Sequence, residues 1–123
     1  MEVKLDTIIF YVKDVQNLKI FYRDNFNLKI IEEDDIWVLL NAGNINIGLH
    51  KMGKEYAEKI SSNKTNNNVK IVFEVTMPIN DAREELISKG IKMKEIKTFE
   101  NYNYWLCDGT DPEGNVFQLK KRK

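Results

Sequence analysis

The chain is predicted to be an α+β protein built from two tandem βαβββ units, and three observations carry that prediction. A strand-like apolar run, a segment with apolar residues at helical spacing and a set of short strands occur twice in the same order. Phe10 and Val12 have counterparts in Phe73 and Val75 at a shift of 63 residues, and Asn27-Leu28-Lys29-Ile30 falls at that shift on Gly90-Ile91-Lys92-Met93. Between the copies, Ser61-Ser62-Asn63-Lys64-Thr65-Asn66-Asn67-Asn68 is too polar to bury anything. The expected organisation is one domain over residues 1–123, with units at about 1–51 and 69–123 joined by a linker at 52–68.

Each element has a local reason. Residues 5–12 are β-branched and aromatic with weak alternation, as in a strand with both faces covered. Asp14 ends that strand and caps a helix over 15–26, on which Val15, Leu18, Tyr22 and Phe26 recur at three- and four-residue spacing. Asn27 suits the left-handed position that closes it. Strands at 28–32, 36–41 and 44–51 follow, separated by the turn residues Glu33-Asp34-Asp35 and Ala42-Gly43. The second unit reads as a strand at 69–76, a helix at 78–89 ending before Gly90, and strands at 91–97, 102–108 and 115–120. A unit of this size has too few strands to bury both faces alone, so the two units pack together or against a second chain.

Composition narrows the function. Nineteen Lys+Arg balance nineteen Asp+Glu, which removes the basic footprint that nucleic-acid binders need, and Lys120-Lys121-Arg122-Lys123 reads as a solvated basic terminus. Cys107 is the only cysteine, so a disulfide scaffold, a cysteine-based zinc site and an iron–sulfur cluster are excluded, and a reducing cytoplasm is the expected compartment. No apolar stretch approaches the roughly 20 residues of a membrane span, and residues 1–10 alternate like a strand instead of a signal peptide.

The turn Thr110-Asp111-Pro112-Glu113-Gly114-Asn115, followed by Val116-Phe117-Gln118-Leu119, combines with Ile9-Phe10-Tyr11-Val12-Lys13-Asp14 and Phe21-Tyr22-Arg23-Asp24 into a pattern that resembles the vicinal oxygen chelate superfamily. That superfamily includes glyoxalase I, bleomycin-resistance proteins, fosfomycin-resistance enzymes and extradiol dioxygenases. The resemblance covers essentially the whole chain. It implies that the two units form a curved mixed sheet, a half-barrel cup, and that the protein is a homodimer. Metal-dependent members hold one divalent ion with His, Gln or Glu from the first and last strands of each unit. The positions so implied are Thr7, Gly48, Lys70 and Gln118, of which only Gln118 offers a suitable donor. No cofactor is therefore expected, a divalent metal belonging only to the alternative reading in which Gln118, His50 and Glu74 form an atypical site.

Alternation along the strands supplies the lining of that cup: Thr7, Ile9 and Tyr11; Lys70, Val72 and Glu74; Val116, Gln118 and Lys120. It also separates Tyr102 and Tyr104 from Trp105 and Cys107, and the two tyrosines are taken as ligand contacts. His50, the only histidine, shares a face with Asn46 and Gly48 and is either a ligand-contacting imidazole or a half-exposed strand-end residue, the second being favoured. Lys70 and Glu74 either meet a charged ligand or pair with charges on neighbouring strands. Candidate ligand-binding residues are thus Thr7, Tyr11, His50, Lys70, Glu74, Tyr102, Tyr104 and Gln118. The expected partner is a small molecule, in the favoured form flat and aromatic with an anionic group, which a metal-independent binding protein sequesters. The alternative is a metal-dependent lyase, isomerase or thiol transferase, and no catalytic residue can be assigned.

Overall fold

In a computed structural model the placement of residues 2, 6–59 and 69–123 is described. The chain divides into two compact units, Met1–Ser62 and Asn63–Lys123.

The first unit runs β1 (Thr7–Val12), α1 (Val15–Phe26), β2 (Lys29–Glu33), β3 (Trp37–Asn41), β4 (Asn46–Lys51) and a short α2 (Lys54–Lys59). Asp14 accepts a hydrogen bond from the Asn17 amide at 3.0 Å, and Asn27 closes α1 at φ 54°, so both ends of this helix follow from single residues. The sheet order is β1-β4-β3-β2, with β1 parallel to β4 and the other pairs antiparallel. One face carries Phe10, Val12, Val38, Leu40, Ile47 and Leu49, all buried with Leu18 and Tyr22 of α1. Their alternation in sequence is the reason: every second residue of each strand is apolar and points at the helix.

The second unit runs β5 (Ile71–Glu74), α3 (Ile79–Ser88), β6 (Tyr104–Thr110) and β7 (Val116–Arg122), with sheet order β5-β7-β6 and β5 parallel to β7. Gly90, at φ 82°, ends α3 where Asn27 ends α1. The βαβ register repeats: Ile9 stands opposite Gly48 and Phe10 opposite Leu49, as Val72 stands opposite Gln118 and Phe73 opposite Leu119. In the hairpin joining β6 to β7, the buried Asp111 carboxylate accepts from the amides of Glu113 and Asn115 and from Asn115 Nδ2 at 2.8–2.9 Å, which gives the Asp-Pro-Glu-Gly-Asn turn a structural role.

Five sequence expectations are corrected. The strand expected at 91–97 is reduced to two isolated bridges, Met93 to Gly109 and Lys97 to Leu106. Four residues on one side span three on the other, so one residue is extra and the ladder is broken there. The neighbouring strand runs over Tyr104–Thr110, beginning and ending two residues later than the expected 102–108. The basic terminus is no loose tail, since Lys120, Lys121 and Arg122 belong to β7, the Lys120 ammonium lies 4.3 Å above the Tyr104 ring and Lys121 donates to the Thr76 carbonyl. Trp105, which alternation places on one face with Cys107, is half-exposed, with the Lys123 ammonium 5.0 Å from its ring centroid. Within the expected linker, Lys54–Lys59 is helical, and 60–68 and Leu5 lie outside the described residues.

Gly109 shows how tightly the second unit is packed: a Cβ there would stand 2.5 Å from the Phe117 ring and from the Met93 sulfur. Gly109→Ala is expected to lower stability by about 1–3 kcal/mol, the usual cost of overpacking a filled core. A denaturant midpoint equal to that of the native protein would show that this core has slack.

Candidate functional site

Each unit turns one sheet face to its helix and presents polar and aromatic side chains on the other. In the first unit, Thr7, Ile9 and Tyr11 share that second face with Asn46, Gly48 and His50 and with Trp37 and Leu39. Tyr11 is exposed, and its ring centroid lies 5.3 Å from that of His50, which in turn lies 6.1 Å from Trp37. The Trp37 indole packs against Gly48, where a Cβ would stand 2.8 Å from its Cζ3, and its Nε1 donates to Glu32 at 3.3 Å. His50 Nδ1 sits 2.8 Å from the Lys51 carbonyl oxygen. A carbonyl only accepts, so Nδ1 carries the hydrogen and Nε2 of the neutral ring is left as an acceptor. Thr7 stands at the far end of the same face, its hydroxyl donating to Asp6 at 2.7 Å.

In the second unit the corresponding face is charged. Register places Tyr104, Leu106, Asp108 and Thr110 beside Val116, Gln118, Lys120 and Arg122, with Val72 and Glu74 on the third strand. Its centre is Asp108, only 6% exposed. Lys70 Nζ donates to Asp108 Oδ2 at 3.0 Å, Gln118 Nε2 donates to Oδ1 at 2.7 Å, and Lys97 Nζ lies 3.6 Å from Oδ2. Desolvation by burial acts to raise the Asp108 pKa, but the hydrogen bonds from Gln118 and Lys70 and the charges of Lys70 and Lys97 outweigh it, and the carboxyl is held below the usual range. Gln118 spends its amide nitrogen on this bond and keeps its carbonyl oxygen as an acceptor. Tyr102 and Tyr104 lie 5.6 Å apart between centroids, with Phe99 6.1 Å from Tyr102. Glu74 is opposite Lys120 in register and makes no ion pair among the described residues.

The candidates of the sequence therefore fall into separate groups: Tyr11 and His50 meet in the first unit with Thr7 apart from them, Lys70 and Gln118 meet on Asp108 in the second, and Tyr102 and Tyr104 stand together at the start of β6, Tyr104 being four residues along the strand from Asp108. Lys70 is an ion-paired residue, the alternative that the sequence left open. Sequence reading missed Asp108, Lys97 and Trp37. Asp108 had a signal: a carboxylate within Trp105-Leu106-Cys107-Asp108-Gly109 cannot be buried without partners. Cys107 is buried, its thiol donates to the Lys94 carbonyl at 3.2 Å and burial pushes its pKa up, the opposite of an activated nucleophile.

This fold is that of the glyoxalase/bleomycin resistance protein/dioxygenase structures, as the sequence resemblance implied. A member of that group from Burkholderia phytofirmans matches with a TM-score of 0.78 at 20% identity, over 98% of this chain and 100% of that one. Lactoylglutathione lyase from Agrobacterium tumefaciens matches with a TM-score of 0.76 at 16% identity, over 98% and 95% of the two chains. The fosfomycin resistance protein FosX from Listeria monocytogenes matches with a TM-score of 0.73 at 15% identity, over 100% and 94%. No family model and no curated protein sequence matches the chain. At these identities the likeness defines the fold and leaves the chemistry to the residues.

Those residues do not fit the divalent ion that the resemblance implies. Thr7 offers a hydroxyl already donating to Asp6, Gly48 offers no side chain and lies beneath an indole, Lys70 offers an ammonium, and Gln118 alone offers a free amide oxygen. Among the described residues, no three His, Cys, Asp or Glu converge to hold a metal, and no helix is long and apolar enough to cross a membrane.

The lowered pKa of Asp108 has a consequence for acid stability. A carboxyl whose folded value is depressed contributes stability that is complete above its unfolded value near ~3.9 and is lost as pH falls through the folded value. Thermal midpoints measured from pH 7 to pH 2 are expected to fall less steeply below pH 4 in Asp108→Asn than in the native protein. Parallel curves would mean that the carboxylate is not held by its two lysines and Gln118.

Proposed function

We propose that the protein is a metal-independent binder of small molecules, sequestering a flat, partly aromatic guest that bears an anionic group. The observation that carries this reading is the Lys70–Asp108–Gln118 network, whose Lys70 and Gln118 stand at positions where the resembling superfamily places metal ligands. An ammonium group a few ångströms from a dication repels it by several kcal/mol at an effective dielectric near ~20. The same group attracts an anion. Tyr102 and Tyr104 supply flat apolar area on that sheet face, and exposed Phe99 extends it. The name of one structural neighbour, a glyoxalase/bleomycin resistance protein/dioxygenase family enzyme, spans both sequestration and catalysis, so the reading rests on the residues of this chain.

Purified without chelators, the protein is expected to carry well under one Ni, Zn, Mn or Fe per chain; elemental analysis near one ion per chain would overturn metal independence. In a thermal-shift screen of aromatic anions and their neutral analogues, bound guests raise the midpoint. For an anionic guest so found, Lys70→Met is expected to weaken binding by about 1.5–3 kcal/mol, the worth of a charge-assisted hydrogen bond. Tyr104→Ala should weaken anionic and neutral guests alike, and calorimetry showing neither effect would place the guest elsewhere.

The cytoplasm, where a lone thiol stays reduced, is the proposed compartment, and a homodimer the proposed assembly, since Ile9, Tyr11 and Val72 leave apolar area exposed on the two open faces. Light scattering is expected to return the mass of two chains at micromolar concentration; the mass of one chain would refute the dimer.

A further inference from the structure

We propose that Lys97 and Lys70, both seated on Asp108, form a clamp for the oxyanion of the guest, and that Lys97 is its specificity-determining member. The inference rests on the small-molecule reading above and adds a residue that neither the sequence pattern nor the fold assigns to a site.

The geometry of the broken edge strand makes the case. Met93 pairs with Gly109 and so belongs to the sheet face packed on Phe117, as a Cβ built on Gly109 shows by meeting Met93 and Phe117 together. In an unbroken strand Lys97, four residues on, would lie on that same covered face. The one extra residue between the two bridges reverses the alternation, so that Lys97 pairs with Leu106, on the face that carries Asp108. Reciprocal backbone bonds between Lys97 and Leu106, 2.8 Å each, fix the position. The Lys97 ammonium thereby reaches the diagonal neighbour, Asp108, at 3.6 Å. The residue just before the irregularity is anchored: the Lys94 amide donates to the Asp108 carbonyl at 2.8 Å, and the Lys94 carbonyl accepts from Arg83 Nε at 2.9 Å and from the Cys107 thiol at 3.2 Å.

Two ammonium groups now stand within 4 Å of one carboxylate oxygen, and a single negative charge cannot neutralise both. Asp108 is buried, whereas the side chains of Lys70 and Lys97 keep 39% and 47% of their area exposed, so the uncompensated charge faces outward. The surroundings add to it: Lys120 and Arg122 share this face, and Glu74 and Asp108 are the acidic residues that register places there. The chain's balanced charge is thus unevenly shared, residues 1–62 holding 8 basic and 10 acidic side chains and residues 63–123 holding 11 and 9. An oxyanion bridging the two ammonium groups completes the charge pairing, with the Gln118 carbonyl oxygen left to accept a donor from the guest. Carboxylate and phosphoryl groups share this chemistry.

The test uses the full-length protein in EDTA and calorimetric titration with three probes: benzoate, phenyl phosphate and the neutral isostere benzyl alcohol. Either anion is expected to bind at least tenfold more tightly than benzyl alcohol, the tighter of the two identifying the source as carboxylate or phosphoryl. Lys97→Met is expected to remove that tenfold preference and to leave benzyl alcohol within threefold of native, and Lys97→Arg, which keeps the charge, to restore the preference. Because the Lys97 side chain is half-exposed, the variant is checked for a native circular-dichroism spectrum, and the Lys97→Arg rescue separates charge from folding. An anion preference that survives Lys97→Met overturns the clamp and leaves the binder reading intact. Absence of any anion preference in the native protein also overturns the clamp, whereas a protein that binds none of the guests in the thermal-shift screen overturns the binder reading itself.

Discussion

Parallel pairing of the first strand of each unit with its last is the constraint from which the rest of the structure follows. It sets β1 beside β4 and β5 beside β7, so that the last strand becomes internal and both its neighbours are fixed in register. Once Phe73 stands opposite Leu119 and Cys107 opposite Leu119 from the other side, the covered face is decided for three strands together. The open face is decided by the same step. Lys70 and Asp108, 38 residues apart, come within hydrogen-bond distance because the strand between them, β7, brings Gln118 to lie between their strands. Such pairings are costly in chain entropy, and the helix of each unit repays part of that cost by burying Leu18 and Tyr22, or Ala82 and Leu86.

The two units use this common register to opposite ends. Where the first unit has Ile9, Gly48 and Leu39 in a row, covered by the flat indole of Trp37, the second has Val72, Gln118 and Asp108 in the equivalent row. One row is apolar and needs no partner. The other contains a buried carboxylate, which is tolerable in a low-dielectric interior only when its oxygens are bonded and its charge is matched. Gln118 and Lys70 meet that demand, and Lys97 overfills it. An aromatic face and a cationic face thus arise from one repeated backbone by substitution at equivalent positions, which explains how this fold can hold unrelated chemistries.

Much of this architecture was legible in the residues. The order of elements, the caps of α1 at Asp14 and Asn27, the end of α3 at Gly90 and the Asp111 turn rest on short-range physics: side-chain hydrogen bonds to nearby amides, positive φ at Asn or Gly, and the period of apolar residues. Alternation also divided the faces correctly in the first unit, down to the grouping of Asn46, Gly48 and His50. These features depend on neighbours within a few positions, and the sequence states those neighbours.

The Asp108 centre lay beyond that range. Reading the strand as 102–108 placed Asp108 at its end, where a carboxylate is solvated and unremarked, whereas pairing with β7 carries the strand to Thr110 and buries it. Period-two alternation carried from Met93 would have turned Lys97 to the covered face, whereas one extra residue in the edge strand turns it to the open one. A single-residue change of register reverses every side chain beyond it, and only the partner strand decides where that residue is accommodated. The sequence by itself determined which elements form and which of their residues are apolar enough to pack. The tertiary structure decided which charges meet, because that depends on register between strands far apart in the chain.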